Sequence, residues 1–387
     1  MARPRPFVLV LVLALAVVWC VAVIAAAAPA PVGTPWTWDL PDGFPMPKVP
    51  ADNPMTVEKV ALGRALFYDT RLSVNDTVSC ATCHVPALAF TDGKAHPVGA
   101  TGAAHPRSAM SLVNVAYSPV LTWGNPNIRS LEVQALLPMF GETPVEMGLS
   151  GRDTIMLAAL NATAAYPRMF ASAFPSEPDP VSLHNITAAI ASFERSLISG
   201  RSPYDRYRFS GEATAISASA RRGERLFFSE KTECFHCHGG FNLTETVDHV
   251  GKKFVEFEFF NTGLYNLGKA GRYPYPNEGV FAVTGEDEDM GRFRAPTLRN
   301  IAVTAPYMHD GSVPTLDAVL DHYAAGGRTI LAGAHKGVGA TSPYKSSFVK
   351  GFTMTARERA DLLAFLRSLT DTAFLADPRF TAPAPVR

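Results

Sequence analysis

Leu62-Gly63-Arg64-Ala65-Leu66-Phe67-Tyr68 leads shortly into Cys80-Ala81-Thr82-Cys83-His84, and Arg222-Gly223-Glu224-Arg225-Leu226-Phe227-Phe228 leads into Cys234-Phe235-His236-Cys237-His238. Cys-x-x-Cys-His is the attachment signature of a c-type haem. The two thiols add to the vinyl groups of one porphyrin, and the adjacent imidazole becomes the proximal ligand of its iron. A redox dithiol, or half of a zinc site, is the competing reading of a single copy. Two copies in a chain with an export leader favour two covalently bound haem c groups, on Cys80, Cys83 and His84 and on Cys234, Cys237 and His238. His236, inside the second motif, reads as an exposed loop residue. A helix followed by a haem loop, occurring twice, predicts a mainly α fold. It would consist of two cytochrome c-like haem domains related by an internal repeat, with long loops.

The rest of the chain is consistent with that frame. Arg3 and Arg5 precede an apolar run from Phe7 to Ala28 that ends in alanines. Residues 1–30 therefore read as a signal peptide or, because the run is long for a signal core, as an N-terminal anchor. Trp19 before Cys20 argues against lipoprotein processing, which needs a small residue there. Either reading places the remainder in the periplasm. Such a compartment favours disulfides, yet the other four cysteines all fall in the two haem motifs. Lys+Arg and Asp+Glu both total 35 and no basic tract stands out, so nucleic acid is excluded as a partner. Apolar periodicity predicts helices over Met55–Tyr68, Thr154–Ala173, Val181–Ser199, Ser217–Phe228, Thr315–Ala324 and Thr355–Leu369, with a short strand over Phe254–Phe260. Residues 31–55, rich in proline and aromatics, read as an extended arm. A Gly/Pro/Ser stretch near Gly200–Gly211 divides an N-terminal haem domain (31–205) from a C-terminal one (206–387).

Further motifs lie outside the haem loops: Pro144-Val145-Glu146-Met147-Gly148, Ala295-Pro296-Thr297-Leu298-Arg299-Asn300 and Thr304-Ala305-Pro306-Tyr307-Met308-His309-Asp310-Gly311. Together with Leu62-Gly63-Arg64 and the haem motifs, they resemble the bacterial di-haem cytochrome c peroxidase/MauG family over nearly all the mature length. Trp38-Asp39-Leu40-Pro41 and Pro50-Ala51-Asp52-Asn53-Pro54 further resemble its methanobactin-associated MauG-like branch (MbnH).

The resemblance implies roles for several residues. Peroxide would bind the iron of the His84 haem in the N-terminal domain, with Glu146 as general base and then acid for O–O cleavage and Gln134 as a further pocket residue. Trp123 would relay electrons between the haems, although Trp123-Gly124-Asn125 departs from the family's usual Trp-Asp-Gly. Tyr323 stands where the peroxidase branch carries methionine and would complete the His238 haem, storing one oxidising equivalent. A phenolate is a harder, anionic donor than a thioether and stabilises ferric iron. Met308 and His322 compete for that position: Met308 reads as core, and His322 would point off the helix in another direction. His96 and His105 could cap the first haem but read as solvated loop residues. The carbonyls of Thr304 and Pro306 match calcium-holding positions, with Ser108 or Asn114 near the family's asparagine ligand. Glu286-Asp287-Glu288-Asp289 lacks an EF-hand pattern. The implied activity is that of a MauG-like enzyme using hydrogen peroxide to oxidise a partner protein at tryptophan. The alternatives are a peroxidase drawing electrons from a small donor cytochrome, and a non-catalytic di-haem carrier.

Overall fold

Thr56 ends the extended arm with its hydroxyl accepting the Lys59 amide, and helix α1 (Val57–Phe67) begins there. The computed structural model describes residues 33–386, so the leader at 1–30 lies outside the described residues. Eight more helices longer than one turn follow: α2 (Leu131–Phe140), α3 (Asp153–Ala162), α4 (Tyr166–Ala173), α5 (Leu183–Arg195), α6 (Pro203–Arg208), α7 (Ala218–Phe227), α8 (Leu316–Ala324) and α9 (Ala356–Ser368). Among the described residues, strands beyond isolated bridges form two antiparallel ribbons, β1 (Phe259–Phe260) with β2 (Phe293–Arg294) and β3 (Thr329–Ile330) with β4 (Gly337–Val338). The fold is therefore mainly helical, with long irregular connections. Among the described residues no helix is long and apolar enough to cross a membrane.

Two helix crossings organise the molecule. In the first unit α1 lies against α5, and a Cβ added to Gly63 would sit 1.8 Å from the Ala189 carbonyl oxygen. In the second, α7 lies against α9, and a Cβ on Gly223 would sit 1.9 Å from the Asp361 carbonyl oxygen. Glycine lets the two backbones approach in each case. Polar bonds reinforce the second crossing, where Asp361 accepts from Ser219 at 2.6 Å and from Arg222 through both oxygens. Around these crossings lie separate cores. Phe67 meets Phe90 and Phe193 in the first, and Phe365 meets Tyr204 and Phe227 in the second.

The chain crosses between the units at both ends. In the arm, Phe44 packs on Tyr117 and on Phe241. Beyond α9 the chain returns to the first unit, where Phe374 and Phe380 join its core. Tyr204 already belongs to the second core, whereas the first core draws on both ends of the chain.

The structure departs from three sequence expectations. The helix expected over Thr154–Ala173 is two, because Thr163 takes an extended conformation after α3 and Pro167 restarts the chain in α4. The strand expected over Phe254–Phe260 is realised only at its last two residues, and Phe254 is 80 % exposed. Helix α2, unforeseen in the sequence, contains Pro138 in its last turn. Proline masks helical periodicity, but here it removes only a single late hydrogen bond.

Candidate active site

Ser79 starts a one-turn helix over Cys80–Cys83, which puts both thiols on one side of the turn. His84 leaves helical geometry, and its Nδ1 donates to the Phe90 carbonyl at 2.8 Å. That carbonyl is presented by left-handed conformations at Ala89 and Phe90. A proton held on Nδ1 leaves Nε2 free to bind a metal, and burial pushes His84 below its ordinary value, keeping the ring neutral. Cys80, Cys83 and His84 line one cavity of about 690 Å³. Gln134 and Glu146 line the same cavity.

Glu146 sits in a loop pinned on two sides. The next residue's amide, on Met147, donates to the Pro138 carbonyl of α2 at 2.9 Å, and Glu146's own carbonyl accepts from Ala100 at 2.7 Å. Burial pushes the Glu146 carboxyl up, opposed by the charge of His105 when that ring is protonated. His105 corrects the sequence reading: it lines this cavity, with Nε2 3.9 Å from Glu146 Oε1. The Val98–Ala104 bridge folds the loop back on itself, and Gly99 admits the Glu146 loop at a distance no Cβ would tolerate. His96 is exposed, as expected of a loop residue. Pro138 and Glu194 also line the cavity. The Glu194 carboxyl is fully buried and pushed up to about 8 by desolvation. Neither residue carries a motif that sequence reading could have used.

The second cavity, about 1340 Å³, is lined by Cys234, Cys237, His238, Trp123, Met308 and Tyr323, among others. Its construction parallels the first: His238 Nδ1 lies 3.3 Å from the Leu243 carbonyl, and Leu243 is left-handed. Burial pushes His238 down to about 4. Tyr323 comes from α8, and burial holds its phenol well above the ordinary value, so a phenolate there needs a positive charge beside it. His322 is buried but does not line the cavity. Met308, expected in the core, packs in an aromatic cluster with Tyr273 and Phe293 and also reaches this cavity. His236 pairs with Glu233 at 2.6 Å and stacks on Phe348. Each cavity presents two thiols and one histidine with a free Nε2, which is the donor set a covalent haem requires.

Trp123 also lines a third cavity, between the units, with Ser108, Thr304 and Pro306. Its indole donates to the Ser108 carbonyl at 3.0 Å. Asn114 does not line this space: its Nδ2 donates to Ser199 O and Asn242 Oδ1, and its Oδ1 accepts from the Ser199 amide. Its amide is turned to these partners, and Asn242 is the amide that lines the cavity.

Residues 57–214 match the family described as di-haem cytochrome c peroxidase, and residues 292–325 match the RoxA-like, cytochrome c-like family. The methylamine utilization protein MauG of Methylorubrum extorquens is 38% identical over 329 residues, 85% of this chain and 82% of that protein. The chain belongs to the di-haem cytochrome c peroxidase/MauG family. The cytochrome-c peroxidase IdrP1 of Denitromonas iodatirespirans is 36% identical over 346 residues, 85% of each chain. A crystal structure of a MauG-like protein associated with microbial copper homeostasis superposes with a TM-score of 0.88 at 49% identity, covering 90% of this chain and 99% of that one. The protein is thus a haem-dependent oxidoreductase of this family, and its MauG and cytochrome c peroxidase relatives stand at similar identity.

Proposed function

We propose that the chain is a periplasmic MauG-like enzyme that uses hydrogen peroxide to oxidise a partner protein, with a tryptophan side chain as the group oxidised. The observation that carries this reading is Tyr323 in the wall of the second cavity, an oxygen donor where a conventional peroxidase offers sulfur. Likeness to a MauG-like protein associated with copper homeostasis supports it and directs the search for a partner to periplasmic copper handling. Haem, when bound, supplies the redox chemistry of iron at both sites.

The residues of this chain divide the remaining work. His84 and His238 present Nε2 to the two irons. Glu146 accepts the proton from the inner oxygen of peroxide and returns it to the outer one. Gln134 orients the peroxide, and His105 sets the charge felt by Glu146. Trp123, between the second cavity and the space facing the first unit, couples the two sites. Calcium is a separate proposal. The carbonyls of Thr304 and Pro306 would hold it, but Arg294 and Arg299 share that cavity's lining and no carboxylate does, so the ion needs an anion that the protein does not supply.

Met308 in the second cavity favours the second reading, a peroxidase fed by a donor cytochrome. The acid–base pair Glu146 and His105 disfavours a mere electron carrier. The deciding experiment adds peroxide to the purified diferric holoprotein together with co-encoded periplasmic proteins. Mass spectrometry is expected to find an oxidised tryptophan on one of them. Turnover only with a reduced cytochrome, and no modified residue, would install the second reading.

A further inference from the structure

Arg294, on β2, is only 8 % exposed and lines both the second cavity and the space between the units. Its guanidinium forms no ion pair among the described residues. Nε has no partner, and the other nitrogens reach only Ser118 Oγ at 3.4 Å and Met110 Sδ at 3.7 Å. Burial pushes its pKa down to about 10, which still leaves it charged at neutral pH. The nearby Arg299 is still more deeply buried but compensated, with Asp205 at 2.8 Å. A second orphan lies in the same lining: His309 is buried, stacks on Phe293 at 3.6 Å between ring centroids, and has no partner at Nε2. The first cavity, by contrast, has no lysine or arginine in its lining. A buried charge persists only when an anion meets it. A haem brings two carboxylates.

We infer that Arg294 and His309 anchor a propionate of the second haem, Arg294 by a buried ion pair and His309 by a hydrogen bond from Nε2–H. The pair has a consequence for Trp123, whose carbonyl accepts the Arg294 amide at 2.8 Å and whose indole is tied through Ser108 to the His309 backbone. A bare guanidinium in the two cavities that this indole also lines would oppose its oxidation. A guanidinium neutralised by a carboxylate does not, so the propionate makes Trp123 usable as a relay. Arg294 is a positioning residue: it acts on the second haem and on Trp123 without touching peroxide.

The inference rests on the second cavity holding a haem. The test compares holoprotein with Arg294→Met and Arg294→Lys by haem count, potentiometric titration of each haem and resonance Raman bands of the propionates. In Arg294→Met, two haems should remain, the second haem's potential should fall and its propionate bands should shift. The first haem should be unmoved, and Arg294→Lys should restore most of the change. Two haems with an unmoved second potential and unmoved bands would overturn the inference alone, whereas one haem per chain in the wild type would remove the di-haem reading itself. Should Arg294→Met fail to mature, the wild type still decides: a propionate band of the second haem must shift in D2O, and its insensitivity would overturn the anchor.

Discussion

In the proposed mechanism Glu146 and Tyr323 carry the chemistry that separates the possible activities, and each can be changed alone. Glu146→Gln should keep both haems and slow the reaction with peroxide by about 10²–10⁴-fold, the usual cost of losing a general acid–base group, measured by stopped flow. The pH dependence has a definite sign. Burial raises the Glu146 pKa, so the carboxylate needed as base is lost as pH falls through a value above that of an ordinary glutamate. The rate should drop on that acid side. Removing the opposing charge of His105 with His105→Gln should move the acid limb to still higher pH. Tyr323→Phe should alter the ferric spectrum of the second haem and abolish oxidation of a partner, while Tyr323→Met should move the protein toward cytochrome-fed peroxidase behaviour. Magnetic resonance of the ferric wild type checks the assignment. A sulfur-ligand signature there, or an unchanged spectrum in Tyr323→Phe, would transfer the ligand role to Met308.

Helix crossings set where these residues stand. Gly223→Ala should force α7 from α9, because its Cβ would lie 1.9 Å from the Asp361 carbonyl oxygen. Overpacking of this kind costs about 1–3 kcal/mol and sometimes more, and thermal unfolding of the holoprotein should show it. Helices α1, α5, α7, α8 and α9 were legible from apolar spacing, since each places apolar side chains in a core. Helix α2 was not, although it carries Gln134 and Pro138 to the first cavity. Its proline conceals the pattern, and tertiary contact with the Glu146 loop compensates.

At the scale of the whole molecule, the units are joined by buried polar bonds. Within the second unit Arg299 pairs with Asp205 from α6, at the start of that unit. Asp371, just beyond α9, accepts the amides of Gly200 and Arg201 and the hydroxyl of Ser199. Asp205→Asn leaves the Arg299 charge buried and uncompensated, so a loss of about 3–5 kcal/mol is expected in denaturant unfolding. Arg299→Met in the same background should recover part of it, because the orphaned charge is then gone.

The sequence alone determined the two haem-binding loops, because covalent attachment depends on residues a few positions apart along one chain. It determined the helices packed around them for a similar reason, since periodicity is local. The tertiary structure decided what those loops face. His105 reaches Glu146 only because a turn folds back and Gly99 admits the neighbouring loop. Asn114 is kept from the space between the units by bonds to Ser199 and Asn242, far away in sequence. Phe374 and Phe380 return to the first core after the second is complete. Arg294 acquires its meaning only where two units bury it without an acid. Such relations depend on long-range packing and on the charge left unbalanced by burial, and neither has a signature in the order of residues.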